Sequence, residues 1–182
     1  MDKLGIFLLC VIAFSISLSV YLNPRDRSND NVEISHSDLI YLAKSEDSPY
    51  SLQLYYLIDK YSSQYNIPKH IAFNISFKET GYKGPFHWDY NPIRTSPGGA
   101  LGPMQIMIST SNSVNKESVS RHKLRNDIEY NIETSMKLLR VLYDKHQDWE
   151  IVCGAYNTGK PIVNDYARFC NKTNYKNNWI KI

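Results

Sequence analysis

A single glutamate occupies a position where a carboxylic acid can serve in acid–base chemistry. Glu79 lies near the end of a predicted helix that begins at Pro68 and ends at Gly81. The other residues on its face of this helix are small or apolar: Ala72, Ile75 and Ser76. Partial burial and the negative end of the helix dipole both disfavour a charged carboxylate there, so they raise its pKa and leave a proton donor near neutral pH. The simpler interpretation is a helix-terminal glutamate that pairs with a lysine such as Lys83.

A loop rich in glycine and aromatic residues follows that helix. The glycines at positions 98, 99 and 102 let the backbone approach a flat ligand such as a sugar ring. Gln105 can donate to and accept from an amide or hydroxyl group, and Met104 offers an apolar contact to a ring. Four aromatic residues are candidates for stacking on a sugar: Tyr82, Trp88, Tyr90 and Tyr156. For Tyr156 two interpretations stay open, a core residue or a ring that packs while its hydroxyl reaches Glu79.

Composition excludes several other classes of protein. The chain has 182 residues with 42% hydrophobic content, which is typical of one globular domain and excludes a disordered chain. A net charge of +3 gives no argument for nucleic acid, and no nucleic-acid partner is predicted. The five histidines lack paired spacing, and neither H-E-x-x-H nor C-x-x-C occurs, so no metal site and no cofactor are predicted.

Two cysteines, Cys153 and Cys170, fall on consecutive predicted helices near the end of the chain. Outside the cytoplasm they could form a disulfide that stabilises the fold by roughly 3 kcal/mol. The other interpretation is a pair of buried free thiols. Because Cys153 lies on a core-facing stripe, a nucleophilic role is not predicted for it.

Helical periodicity indicates the elements that position these residues. Apolar residues recur at helical spacing in a first helix, at Leu54, Leu57, Ile58, Tyr61 and Tyr65. After the helix of Glu79, a loop with a short hairpin is expected up to Gly102. A long helix is predicted from near Asp127, another is capped by Asp148, and Pro161 is expected to open the last one. The fold class predicted is mostly α.

The N-terminal residues predict export. Residues 4–22 carry no charged side chain and, at about 1.5 Å per residue, are long enough as a helix to cross a membrane. Small residues near the end of this run equally fit a cleaved signal peptide. The predicted organisation is therefore a signal peptide or membrane anchor at 1–22, a linker at 23–47 and the domain at 48–182.

Four segments, taken in order, carry a family resemblance: Lys78–Tyr82, Ser96–Ile106, Asn126–Ile132 and Ala155–Gly159. Together they resemble the soluble lytic transglycosylase (SLT) family, lysozyme-like enzymes that cut the glycan strands of peptidoglycan. The resemblance extends over roughly residues 54–169. It implies an α+β lysozyme-like fold in which a glycine-rich loop borders a sugar cleft.

The resemblance also implies roles for individual residues. Glu79 takes the place of the family's catalytic acid. The family's cleft-lining positions fall on Ser96, Gly99, Ala100, Gly102, Met104 and Gln105, and those flanking the cleft and the acid fall on Tyr156 and Asn157. This chain departs from the pattern at Thr80, which replaces a serine and keeps its hydroxyl, and at Pro103, which replaces a leucine and removes a backbone N–H.

The implied reaction cleaves the bond between N-acetylmuramic acid and N-acetylglucosamine and forms a 1,6-anhydro product, with Glu79 as both acid and base. Two alternatives stay open: a goose-type lysozyme-like hydrolase that uses a second carboxylate such as Asp89, and a non-catalytic glycan-binding protein of the same fold. The expected partner is peptidoglycan, and the expected location is the periplasm or the outer face of the cytoplasmic membrane. From residue 48 onwards 17 basic and 11 acidic residues give +6, which suits an anionic cell wall. A secretion or wall-remodelling machinery as partner stays open.

Overall fold

The computed structural model describes residues 35–45 and 47–172. None of the helices in these ranges combines the length and the apolar character of a membrane-spanning segment. The predicted signal peptide or anchor at 1–22 lies outside the described residues, as does most of the predicted linker.

The described residues form eight helices, which confirms the prediction of a mostly α fold. They are α1 His36–Ala43, α2 Tyr50–Gln64, α3 Lys69–Thr80, α4 Ile108–Asn115, α5 Arg121–Asn126, α6 Ile128–His146, α7 Trp149–Thr158 and α8 Asp165–Cys170. In the described part of the chain, β-structure is limited to isolated antiparallel bridges that join Leu101 to Thr95 and to Ile106. The expected short hairpin is therefore a pair of bridges inside the loop between α3 and α4.

The core forms where α2, α3, α6 and α7 pack together. Its fully buried side chains include Ile58 of α2, Ile75 of α3, Ile132 of α6 and Val152 of α7. The short helix α8 packs against both α3 and α7. This arrangement brings the C-terminal end of α3, which carries Glu79, close to α8.

Several helix ends lie where the sequence predicts them. Gly81 ends α3 in the left-handed conformation, with φ +74°, which glycine adopts without strain. Asp127 and Asp148 cap α6 and α7, because each carboxylate accepts backbone N–H bonds from the first turn of its helix.

Four elements differ from the prediction. Residues 36–43, which the sequence places in a linker, form α1; Leu39 of this helix is buried, and Ser35 and Asp38 make a capping box. An eight-residue helix with two buried side chains leaves too short a pattern to recognise. The last helix begins at Asp165 after a cap by Asn164, and residues 160–164 form a loop, so Pro161 does not open it. Helices α4 and α5 were not predicted, since each buries only one residue.

Candidate active site

Glu79 is the second-last residue of α3, and its side chain is largely buried. Burial raises the pKa of its carboxyl group, and this effect outweighs the hydrogen bond from Tyr166 and the charge of Lys78, both of which lower it. No ion pair with Lys83 is present among the described residues. Glu79 is therefore a largely buried carboxyl group with a raised pKa and is not part of a surface ion pair with Lys83.

The hydrogen-bond partner of Glu79 is a residue that the sequence did not point to. The hydroxyl of Tyr166, on α8, donates to Oε1 of Glu79 at 2.5 Å. Tyr166 is 87 positions away along the chain and looks like an ordinary member of a helical stripe. No local motif marks it; only the packing of α8 on α3 reveals the contact.

Of the two interpretations of Tyr156, the contact of its hydroxyl with Glu79 is not found. Its hydroxyl donates to the backbone carbonyl of Met104 at 2.7 Å and does not bond Glu79, so that expectation is corrected. Burial, followed by the charge of Glu79, raises the pKa of Tyr156 well above its ordinary value. Tyr156 therefore lies close enough to Glu79 for that charge to affect its pKa. Its bond to Met104 holds the glycine-rich loop near Glu79.

Thr80, directly after Glu79, fastens the loop to the end of α3. Its buried hydroxyl donates to the carbonyl of Pro103 at 2.9 Å and lies 2.6 Å from the hydroxyl of Tyr90. Both residues at which this chain departs from the family pattern thus meet in one hydrogen bond. Pro103 lacks an N–H, but its carbonyl oxygen makes this contact.

Asn131 of α6 holds the underside of the same loop. Its Oδ1 accepts from the N–H of Met104 at 3.0 Å, and its Nδ2 donates to the carbonyls of Leu101 and Leu124, both at 2.9 Å. Gly102 lies against it at φ +73°, and a Cβ there would be only 2.5 Å from Asn131 Nδ2. This position therefore requires glycine for packing inside the protein, and Gly102 itself is buried.

The predicted sugar contacts divide into exposed and buried residues. Ser96, Gly99, Ala100 and Gln105 are partly exposed, and Asn157 is exposed at the end of α7. The Ser96 hydroxyl accepts from the N–H of Ala100, and the amide of Gln105 donates to the carbonyl of Gly102 at 2.7 Å. These bonds fix the shape of the loop at its surface.

Three other candidates have side chains in the core. Met104 has 0% exposure, so the predicted contact of its side chain with a sugar ring does not fit the structure. Tyr82 and Tyr90 are also buried, with their hydroxyls bonded to the Ser51 carbonyl and to Thr80. A sequence pattern cannot separate aromatic residues under a loop from those on top of it. Of the loop aromatics, Trp88 is open to solvent, at 63% exposure.

In the ranges 35–45 and 47–172, Glu79 is accompanied by neither a metal site nor a second buried carboxylate. Among the described residues, no group of three or more His, Cys, Asp or Glu side chains is arranged to hold a metal ion. Asp89, the alternative second carboxylate, has a side chain that is 95% exposed. Its Oδ1 lies 3.4 Å from Nε2 of His87. It is a solvated surface group in this conformation.

The fold and site together define a small helical domain with one largely buried carboxylic acid beside a glycine-rich loop. The model of the Transglycosylase SLT domain family matches residues 56–179, more than half of the chain, and the chain belongs to this family. Among curated proteins no match is found.

Two solved structures are similar over part of the chain. The 70-kDa soluble lytic transglycosylase from Escherichia coli matches at 30% identity and a TM-score of 0.48, covering 57% of this chain and 16% of that one. The complex of the 70-kDa soluble lytic transglycosylase with bulgecin A matches at 28% identity and a TM-score of 0.48, covering 63% of this chain and 17% of that one. This chain therefore spans less than a fifth of the length of either structure.

Proposed function

We propose that this protein is a peptidoglycan lytic transglycosylase. It cleaves the β-1,4 bond between N-acetylmuramic acid and N-acetylglucosamine and leaves a 1,6-anhydro-N-acetylmuramic acid end. Glu79 is its single general acid and base. The observation that carries this proposal is the largely buried carboxyl of Glu79, whose pKa is raised and whose Oε1 accepts a hydrogen bond from Tyr166.

The first step needs a protonated Glu79. The Tyr166 hydroxyl donates to Oε1, so the proton of the neutral acid resides on Oε2, the oxygen that points to the substrate in this proposal. Oε2 donates that proton to the glycosidic oxygen as the bond to C1 breaks. The same Tyr166 hydrogen bond then stabilises the carboxylate that is left.

The second step uses Glu79 as a base. The carboxylate removes the proton of the muramoyl C6 hydroxyl while O6 attacks C1, with the substrate's N-acetyl oxygen stabilising the positive charge at C1. One C–O bond breaks and one forms, and the proton passes from O6 to the leaving oxygen through Glu79. Water is not consumed, so one carboxylate is sufficient, in agreement with the solvated position of Asp89.

The loop and α7 supply the sugar-binding surface in this proposal. Ser96, Gly99, Ala100 and Gln105 present backbone and amide groups at the surface, and Asn157 adds an exposed amide. Gly102, Met104 and Tyr156 act from below by fixing the loop through Asn131 and the Tyr156 hydroxyl. The protein is exported and acts in the periplasm or at the outer face of the cytoplasmic membrane, with the N-terminal segment as signal or anchor.

Product analysis tests the proposal. Purified cell-wall sacculi are digested with the full chain, and the released muropeptides are analysed by mass spectrometry. Anhydro-muramoyl ends are the expected product. Hydrated reducing ends alone would instead establish a lysozyme-like hydrolase, and binding to sacculi without cleavage would establish a glycan-binding protein.

A further inference from the structure

The pair Cys153 and Cys170 plays no part in the proposed reaction. Both side chains are fully buried, and both thiols are free in the structure. Cys153 lies on α7 and Cys170 is the last residue of α8. The two helices pack against each other, and the neighbouring Cys170 side chain, together with burial, raises the pKa of Cys153.

The loop before α8 and α8 itself both lie close to α7 next to Cys153. The α-carbon of Gly154 lies so near the carbonyl of Ile162, in that loop, that a Cβ there would be 1.7 Å from this oxygen. The same Cβ position is 3.6 Å from the side chain of Ala167 on α8. A disulfide requires neighbouring backbones, and the packing of α8 on α7 beside Cys153 meets this requirement.

Helix α8 is short, and its position matters for the candidate active site. It has six residues, and one turn before Cys170 it carries Tyr166, whose hydroxyl donates to Glu79. On the α3 side, the amide of Asn74 donates to the carbonyl of Cys170 at 2.8 Å. A covalent bond at Cys170 would therefore fix the helix that supplies the hydrogen bond to Glu79.

We propose that Cys153 and Cys170 form a disulfide when the chain meets a disulfide-bearing oxidant, and that this bond fixes α8, with Tyr166, against α7. In the exchange, the two thiols lose two protons and two electrons as the S–S bond forms. The disulfide of the oxidant breaks, takes up these electrons and protons, and becomes two thiols. Oxidised glutathione serves as this oxidant in vitro, and a protein disulfide does so in an oxidising compartment.

Burial also predicts when the bond forms. The thiolate is the attacking species, and the neighbouring Cys170 thiol and burial raise the pKa of Cys153 and keep it protonated. Oxidation of the folded, reduced protein is therefore slow, and oxidation during folding is fast. Refolding with oxidised glutathione should give the bridged form at least tenfold faster than adding the same reagent to folded, reduced protein.

Peptide mapping tests the bond itself. The full chain is refolded with oxidised glutathione, denatured, alkylated without reductant, digested and analysed by mass spectrometry. A linked pair of peptides containing Cys153 and Cys170 is expected, with Cys10 outside the pair; the Cys10→Ser variant is the matched control and should give the same linked peptides. Alkylated Cys153 and Cys170 in both proteins would overturn the proposal.

The stabilising effect is measured by comparing oxidised and reduced protein of identical sequence. Reduction should lower the Tm by roughly 5–10 °C and speed amide hydrogen exchange in α8. The double variant Cys153→Ser/Cys170→Ser should not respond to the reductant. An unchanged Tm and unchanged exchange in α8 would refute the role of the bond. These readouts do not depend on glycan cleavage, so they stand or fall separately from the proposed function.

Discussion

Two glutamates of this protein accept a hydrogen bond from a tyrosine, yet their pKa values are shifted in opposite directions. Glu79 accepts from Tyr166 at 2.5 Å, and Glu129, in the first turn of α6, accepts from Tyr61 at 2.7 Å. Burial raises the pKa of Glu79, whereas the pKa of Glu129 is lowered by the hydrogen bond from Lys60 and then by that from Tyr61.

The difference lies in burial and in the lysine. The side chain of Glu129 is 52% exposed and bonds the Lys60 ammonium at 2.7 Å. Glu79 has no ion pair in the described part of the chain and is largely removed from water. A tyrosine hydroxyl by itself therefore does not make a proton donor; it orients a carboxyl group whose protonation is decided by desolvation and nearby charge.

The largest expected effect on the cleavage rate comes from removing the carboxyl group of Glu79, with Glu129 as the comparison. Glu79→Gln should lower the rate of sacculus cleavage by about 10³-fold or more, because the amide is nearly isosteric but cannot donate the proton. Binding to sacculi should be retained. The matched control Glu129→Gln should cleave sacculi at a rate within about twofold of that of the unchanged protein. The fall in turbidity of a sacculus suspension measures both rates. Equal rates for the two variants would remove Glu79 from its proposed role.

The two tyrosines that bond these glutamates, Tyr166 and Tyr61, should also differ in their effect on the pH–rate profile. Tyr166→Phe removes a hydrogen bond that lowers the pKa of Glu79, so this pKa should rise further and the alkaline limb of the pH–rate profile should move to higher pH. Loss of orientation should lower the maximal rate by about tenfold. Tyr61→Phe, the control, should leave the profile unchanged. A Tyr166→Phe profile that does not move would show that this hydroxyl has no influence on the acid.

A smaller effect is expected from the residue that joins Glu79 to the loop. Thr80→Val removes the hydroxyl that donates to the Pro103 carbonyl in a buried site, and it should lower the free energy of unfolding by about 1–3 kcal/mol. Thr80→Ser keeps the hydroxyl and should restore loop attachment and most of the cleavage rate. Urea unfolding and sacculus cleavage measure the two effects; a serine variant as inactive as the valine variant would argue against this role of the hydrogen bond.

The smallest effect concerns stability and pH, and its sign should differ between the two glutamates. Because the pKa of Glu79 is raised in the folded protein, its contribution to stability is lost as the pH rises through that pKa, and Glu79→Gln should raise the Tm slightly at pH 7. The pKa of Glu129 is lowered, so its contribution is present at pH 7 and is lost as the pH falls through that pKa.

Glu129→Gln should therefore reduce stability at neutral pH, by about 0.5 kcal/mol for an exposed ion pair. Thermal unfolding at pH 7 and in acid measures both variants. In acid, where both carboxyl groups are protonated in the folded and unfolded chain, the two differences should shrink. Shifts of the same sign at pH 7 would contradict the comparison.

The sequence was informative where a local pattern has a physical cause. Glu79 continues an apolar helix face that ends at Gly81, and the structure confirms both the helix end and the burial of this face. The caps at Asp127 and Asp148 depend on residues within one turn, so they too could be predicted.

The other features of the site could not be predicted from the sequence, because they depend on how distant segments pack together. Tyr166 reaches Glu79 across 87 residues, and nothing near it in the chain distinguishes it from a core tyrosine. Met104 and Gly102 belong to a loop motif whose underside is bonded to Asn131, a contact between distant segments. The eight residues of α1 bury only Leu39 and Ala43, which is too weak a pattern to separate a helix from a linker.

Titration of the two carboxyl groups tests the central claim most directly. Carbon-13 NMR of protein labelled at the glutamate side chains follows each carboxyl signal with pH, and Glu79→Gln and Glu129→Gln assign the two signals. Glu79 should titrate above the ordinary pKa of glutamate and Glu129 below it. A Glu79 signal that titrates at or below the pKa of Glu129 would contradict the claim that burial raises the pKa of this acid.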